Sequence, residues 1–128
     1  MPLPRPGFWH RPKLRSAEHK QQEPMCKNES RYVGENPVGF AQCQLSYDCV
    51  EGTDASPVGY LEGIFILEEY RLLGYAKELL LRCENWSRGK GCSEFAGDCE
   101  LENEMSLRFH IAMGFGEANR IICFKKAL

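Results

Sequence analysis

Leu61-Glu-Gly-Ile-Phe-Ile-Leu-Glu-Glu-Tyr-Arg-Leu-Leu-Gly-Tyr-Ala-Lys77 joins an apolar run to the opening of a helical pattern. The run begins at Val58 and reads to Leu67 as a strand buried on both faces for much of its length. Beyond Gly74, residues Ala76, Leu79, Leu80, Cys83 and Trp86 recur at helical spacing and form one stripe. Between strand and helix stands Arg71-x-x-Gly74-x-Ala76. Free backbone N–H groups and the positive end of the helix dipole make such a turn a site for anions. Gly74 lets the backbone approach closely, small Ala76 serves the same purpose, and Arg71 and Lys77 add positive charge. These residues alone fit an ordinary strand-to-helix turn equally well.

Working outward, Arg31–Val33 and Val38–Tyr47 read as strands around the turn Gly34-Glu-Asn-Pro37. With Val58–Leu67 they make an antiparallel meander, interrupted by the turn-rich Glu51–Pro57. Glu78 and Arg82 form an i, i+4 pair on the outer face of the helix, which ends at Gly89-Lys-Gly91. Cys92–Asp98 is the next strand, parallel to Val58–Leu67 because a helix intervenes. A second helix runs from an Asn103 N-cap to Met113, with Gly114 as left-handed terminator, and Arg120–Lys125 is a last strand. The order β-β-β-α-β-α-β predicts an α+β fold: a mixed, mostly antiparallel central sheet flanked by helices.

Length and composition fit one soluble domain. The chain has 128 residues, and no apolar run approaches the ~18–20 residues that span a bilayer. The start, Met1-Pro-Leu-Pro-Arg-Pro-Gly7, lacks the apolar core of a secretory signal, so a cytoplasmic location is expected. Residues 1–28 read as a Pro-rich, basic, poorly ordered head, and 29–128 as the folded domain. Residues 1–22 hold five bases and one acid, leaving 11 bases and 17 acids in the remainder. An acidic body steers cationic partners and repels nucleic acid, although the same charge also serves solubility. Seven cysteines without a C-x-x-C pair, and three histidines outside any zinc pattern, read as buried reduced thiols with no metal site.

Two motifs in order carry a family resemblance. Arg71-x-x-Gly74-x-Ala76 resembles the Q/R-x-x-G-x-G/A signature of the GNAT acetyltransferases. Asn103-x-x-Ser106-x-x-x-His110-x-x-x-Gly114-Phe115 is similar to the second signature of that superfamily. The tighter likeness is to aminoglycoside 6'-N-acetyltransferases. Ser56-Pro-Val58, Leu61–Phe65, Cys92-x-Glu-Phe-Ala96, Asp98 and Gly114-Phe115 carry it, and it covers residues 38–126.

The resemblance implies acetyl-CoA as co-substrate and a cationic small-molecule amine, the aminoglycoside, as acceptor, with antibiotic resistance as the outcome. It implies that the backbone of Ile64, Phe65 and Ile66 pairs with the pantetheine arm. The turn Arg71, Leu72, Leu73, Gly74, Tyr75, Ala76 and Lys77 would cradle the pyrophosphate, and Asn103 would touch the coenzyme further along. Glu62 and Asp98 match positions that hold the acceptor; Glu62 is the first choice of base and Asp98 the second. His110 stands where the family often has a Tyr proton donor, with Tyr60 and Tyr75 as spare candidates; a histidine packed near the core reads equally well.

Departures are equally specific. Residues 1–30 do not resemble the family's first strand and two helices, and Trp9-His10 matches in composition only. Cys49 replaces an aromatic and Asn119 a second acid. The picture is of a chain truncated or diverged at its N-terminus, with a homodimer expected to cover the exposed edge. An acetyltransferase for another amine, and a non-catalytic coenzyme-binding remnant, are the alternative readings.

Overall fold

The computed structural model describes residues 25–128, which divide into two compact units, one ending at Asp98 and the other Cys99–Leu128. The first unit holds a four-stranded sheet in the order β1-β2-β3-β4: β1 (Cys26–Val33), β2 (Asn36–Ser46), β3 (Val58–Ile66) and β4 (Phe95–Gly97). The first three strands are antiparallel neighbours and β4 runs parallel to β3, as the expected meander and crossover require. A single 3-10 turn, Glu68–Tyr70, leads to helix α1 (Tyr75–Gly89). The mixed, mostly antiparallel α+β architecture is therefore present.

Several boundaries move. The expected break at residue 28 falls inside β1, whose ladder starts at Cys26 with Met25 already buried. The rest of the head, with Trp9 and His10, lies outside the described residues. Strand β4 keeps only Phe95–Gly97 of the expected Cys92–Asp98. The reason is local: the Cys92 amide donates to Ser87 O to close α1, so the chain joins β3 only from Glu94 O, which accepts from the Gly59 amide.

The core lies between the sheet and α1. Leu79, Leu80, Cys83 and Ser87 are buried on the helix, and Ala41, Cys43 and Leu61 are buried on the face of the sheet toward it, while Val58 is buried on the opposite face. Ser87, not the expected Trp86, completes the stripe. Its hydroxyl donates to Cys83 O, which satisfies it without a polar partner from the sheet. Trp86 packs beside this core, on a satellite cluster of Met25, Leu45 and Cys92. Each fully buried Leu contributes about 1.5–3 kcal/mol of transfer free energy. Outside, Glu78 and Arg82 pair at 2.6 Å as expected, and Arg31 at 3.3 Å from Glu78 ties β1 to the same helix.

Gly59 lets β3 and α1 meet this closely. A Cβ there lies 2.3 Å from Ser87 Oγ and 2.5 Å from Phe95 Cδ1. Gly59→Ala is expected to destabilise the fold by about 1–3 kcal/mol through overpacking, read as a lower urea midpoint with an unchanged slope. A stability equal to wild type contradicts this packing.

All seven thiols are free; Cys43, Cys83 and Cys92 are buried, and the other four are exposed. A hydrogen bond with Cys83, together with burial, pushes the Cys43 thiol up, and burial alone pushes Cys92 up. Because the thiolate is the nucleophile, a disulfide reagent is expected to titrate four thiols in the native protein. Cys43 and Cys92 should react only after unfolding, even when the pH is raised toward about 9. Cys83, whose thiol is pushed down by the hydrogen bond with Cys43, is shielded by its burial alone. Seven fast thiols in the native state contradict the core as described.

The second unit contains helix α2 (Glu104–Ala112). The Asn103 side chain accepts from the Ser106 amide at 3.0 Å, the expected N-cap. Gly114 has φ +97°, and the Gly114 and Phe115 amides donate to Ile111 O and His110 O, closing the helix in a Schellman motif. The expected last strand, Arg120–Lys125, is absent: no described residue of 115–128 enters a ladder. A strand is stabilised by a paired edge, and the apolar run Ile121–Phe124 does not by itself supply one. Ile122 and Phe124 are left 75% and 88% exposed.

Candidate active site

The site is built where β3 leaves β4. Strand β3 pairs with β2 from Val58 to Ile66, but with β4 only at Gly59↔Phe95, Tyr60↔Ala96 and Leu61↔Gly97. Strand β4 ends at Gly97, so the pairing stops at Leu61 and leaves a gap in the ladder beside the rest of β3. Among the described residues, the β4-facing edge of Glu62–Ile66 has no strand partner. Ile64, Phe65 and Ile66, expected to bind the pantetheine arm, lie on this edge, which can accept an extended chain as an added strand.

Glu62 and Asp98 are the next residues after the last β3–β4 pair, so both carboxylate-bearing positions flank the mouth of the gap. Glu62 is also the extra residue of a β-bulge. Gln42 pairs with Gly63 and Cys43 with Leu61, leaving Glu62 opposite no residue of β2. A bulge twists a strand locally and re-aims the side chain it carries. It also resets the alternation: Leu61 and Ile64 lie opposite Cys43 and Ala41, which share the α1 face of β2.

Glu62 Oε2 is buried and has no hydrogen-bond partner among the described residues. An ionised carboxylate oxygen held this way is costly unless a cation or donor meets it. Asp98 is exposed and accepts a hydrogen bond from the Tyr60 hydroxyl. That hydroxyl proton is engaged with Asp98 in this structure.

The turn from Arg71 to Lys77 follows 3-10 residues Glu68–Tyr70. Arg71 Nε donates to Ile66 O at 2.8 Å, with its guanidinium 5.5 Å from the Phe65 ring, and so fastens the turn to the end of β3. Leu72 takes φ +64° and is fully exposed, a conformation unfavourable for a residue with a Cβ. Gly74 is the N-cap at φ +86°, with no side-chain cap. The first intrahelical bond runs from the Glu78 amide to Gly74 O, so the amides of Tyr75, Ala76 and Lys77 precede the helical ladder. Arg31 lies 4.2 Å above the Tyr75 ring, adding positive charge beside this end. Left-handed backbone, an uncapped helix and the Arg71 guanidinium are features that can receive an anion, while Arg31 is also ion-paired with Glu78. Leu72 was placed in this turn by motif alone; no feature of its own side chain signals its backbone state.

A hollow of about 330 Å³ lies at the other end of α1, lined by Glu84, Arg88, Cys92 and Glu94 among others. It lacks the unpaired buried carboxylate and the bare helix amides, so volume does not select the site here. Among the described residues no group of three metal-ligating side chains occurs. No described helix is long and apolar enough to cross a membrane.

Asn103 and His110 belong to the second unit, described by itself. His110 Nδ1 lies 2.7 Å from Ser106 O, a carbonyl that can only accept, so Nδ1 carries the proton. In the neutral ring Nε2 is therefore an acceptor; it is buried without a partner among the described residues, between Phe109 and Phe115. His110 can donate from Nε2 only as imidazolium. Asn119 Oδ1 accepts from the Arg120 amide.

An open β3 edge beyond the last β4 pair, next to an uncapped helix N-terminus, is the arrangement the described residues present. The model of the acetyltransferase (GNAT) family matches residues 3–115, and the chain belongs to that family. It is 44% identical over 89 residues to the aminoglycoside N(6')-acetyltransferase type 1 of Salmonella typhimurium, covering 70% of this chain and 61% of that one. The chain thus spans less than two thirds of that relative. Among solved structures it is similar to AAC(6')-Iy in complex with a bisubstrate analogue, CoA-S-monomethyl-acetylneamine. The TM-score is 0.79 at 34% identity, over 96% of this chain and 86% of that one. It is also similar to the 6'-N-acetyltransferase AAC(6')-Ih of Acinetobacter baumannii, with a TM-score of 0.78, 32% identity and coverages of 100% and 97%.

Proposed function

We propose that the chain transfers the acetyl group of acetyl-CoA to the 6'-amine of aminoglycosides and so confers resistance to them. The observation that carries this reading is the buried Glu62 carboxylate oxygen, without a partner among the described residues, at the mouth of the β3–β4 gap, next to the strand position of Asp98. A protonated amine supplies the missing cation. Glu62 then takes its proton, directly or through water, so that the free amine can attack the thioester. Asp98 holds a second ammonium of the polycationic acceptor.

In this reading the unpaired edge of Ile64, Phe65 and Ile66 receives the pantetheine arm, and amides from Leu72 to Lys77 receive the pyrophosphate. Asn103 contacts the coenzyme further along, and His110, as imidazolium, returns a proton to the departing thiolate. The protein works in the cytoplasm as a homodimer, where a second copy covers the exposed Ile122 and Phe124. Thiol release from acetyl-CoA against a panel of amines tests the proposal. Release that depends on kanamycin supports it. Release only with polyamines or peptide termini moves the reading to another acceptor, and coenzyme binding without release to any amine overturns catalysis.

A further inference from the structure

Tyr60 is 6% exposed, a ring locked in the sheet between Val58 and Leu61, both buried. It pairs with Ala96 across the β3–β4 ladder, so by strand alternation Tyr60, Ala96 and Asp98 share the face of the sheet away from α1. From there its hydroxyl donates to Asp98 Oδ2, a contact between residues 38 apart in sequence. Asp98 gains a fixed anchor point by this bond. It follows a strand of only three residues, is itself exposed, and is the last residue of its compact unit. An exposed carboxylate just past the end of a short strand has several rotamers open to it, and ordering it on binding costs affinity. A buried tyrosine has few rotamers to lose and holds its hydroxyl in one place.

From this geometry we infer that Tyr60 is a positioning residue for the acceptor: its hydroxyl fixes the rotamer of Asp98 before the cationic amine arrives. The inference rests on the proposed aminoglycoside reading and assigns a division of labour within it. Glu62, in the bulge, acts on the reacting amine; the Tyr60–Asp98 pair sets where the polycation docks. Loss of the hydroxyl therefore acts on acceptor recognition and spares both coenzyme binding and the chemical step.

The test is steady-state kinetics with kanamycin on wild type, Tyr60→Phe, Asp98→Asn and the double variant, with melting temperature and acetyl-CoA affinity measured on each. Tyr60→Phe is expected to raise the kanamycin KM about tenfold, the size of a lost charge-assisted hydrogen bond. Its kcat should stay within about twofold, with acetyl-CoA affinity unchanged. In the Asp98→Asn background the same change should have no further effect on KM, because the carboxylate it orders is gone. A wild-type kanamycin KM in Tyr60→Phe, or an equal and additive loss in the double variant, overturns the inference alone. Absence of kanamycin-dependent turnover by the wild type overturns the functional reading and this inference with it.

Discussion

Glu62→Gln lowers kcat for acetylation of kanamycin by about 10²–10³-fold and leaves acetyl-CoA affinity within about twofold of wild type. The substitution preserves size and removes only the ability to accept a proton and carry charge. Because the bulge at Glu62 is set by the pairing of Leu61 and Gly63 with Cys43 and Gln42, the backbone has no reason to move. The stability consequence separates function from architecture. Glu62 Oε2 is buried without a partner among the described residues, so a neutral amide there costs the fold no more than the carboxylate does. The melting temperature of Glu62→Gln is expected to equal or exceed that of wild type. Full turnover in this variant contradicts the assignment of the base. Lost activity accompanied by a large fall in melting temperature contradicts the claim that the residue serves chemistry rather than folding.

Gly74→Val weakens coenzyme A binding by about 30–100-fold, the second large effect. The structure locates its origin in the backbone. A Cβ at Gly74 meets nothing within 4 Å, so there is no clash to relieve. The cost comes from φ +86°, which a β-branched residue avoids. Relaxing that angle turns the amides of Tyr75, Ala76 and Lys77 away from their common direction, and an anion loses several hydrogen bonds at once. Helix α1 keeps its buried Leu79, Leu80 and Cys83, so the fold loses only about 1–3 kcal/mol. Calorimetric affinity equal to wild type contradicts the anion site at this turn.

The strand–turn–helix of residues 58–89 was legible because its signals are local: an apolar run, a glycine and a helical stripe follow one another in the chain. Helix ends at Gly91 and Gly114 were legible for the same reason. What escaped the sequence depends on partners distant in it. The bulge at Glu62 is a mismatch of register between β2 and β3, which neither strand reveals alone. Ser87 replaced Trp86 in the core stripe because Gly59 of another strand leaves room only for a small side chain. Arg120–Lys125 holds a short apolar run like a strand yet has no ladder, since such a run gives a strand its apolar surface and not its neighbour. Glu62 and Asp98 were named by resemblance; the geometry adds that they follow the same final pair of β3 and β4. The Tyr60–Asp98 contact had no local signal at all.

The most direct measurement is to incubate the chain with acetyl-CoA and kanamycin and to locate the acetyl group in the product by NMR. The account predicts a single product acetylated on the 6' nitrogen, formed by wild type and nearly abolished in Glu62→Gln. A product acetylated at another nitrogen, or no product beyond the uncatalysed background, contradicts it.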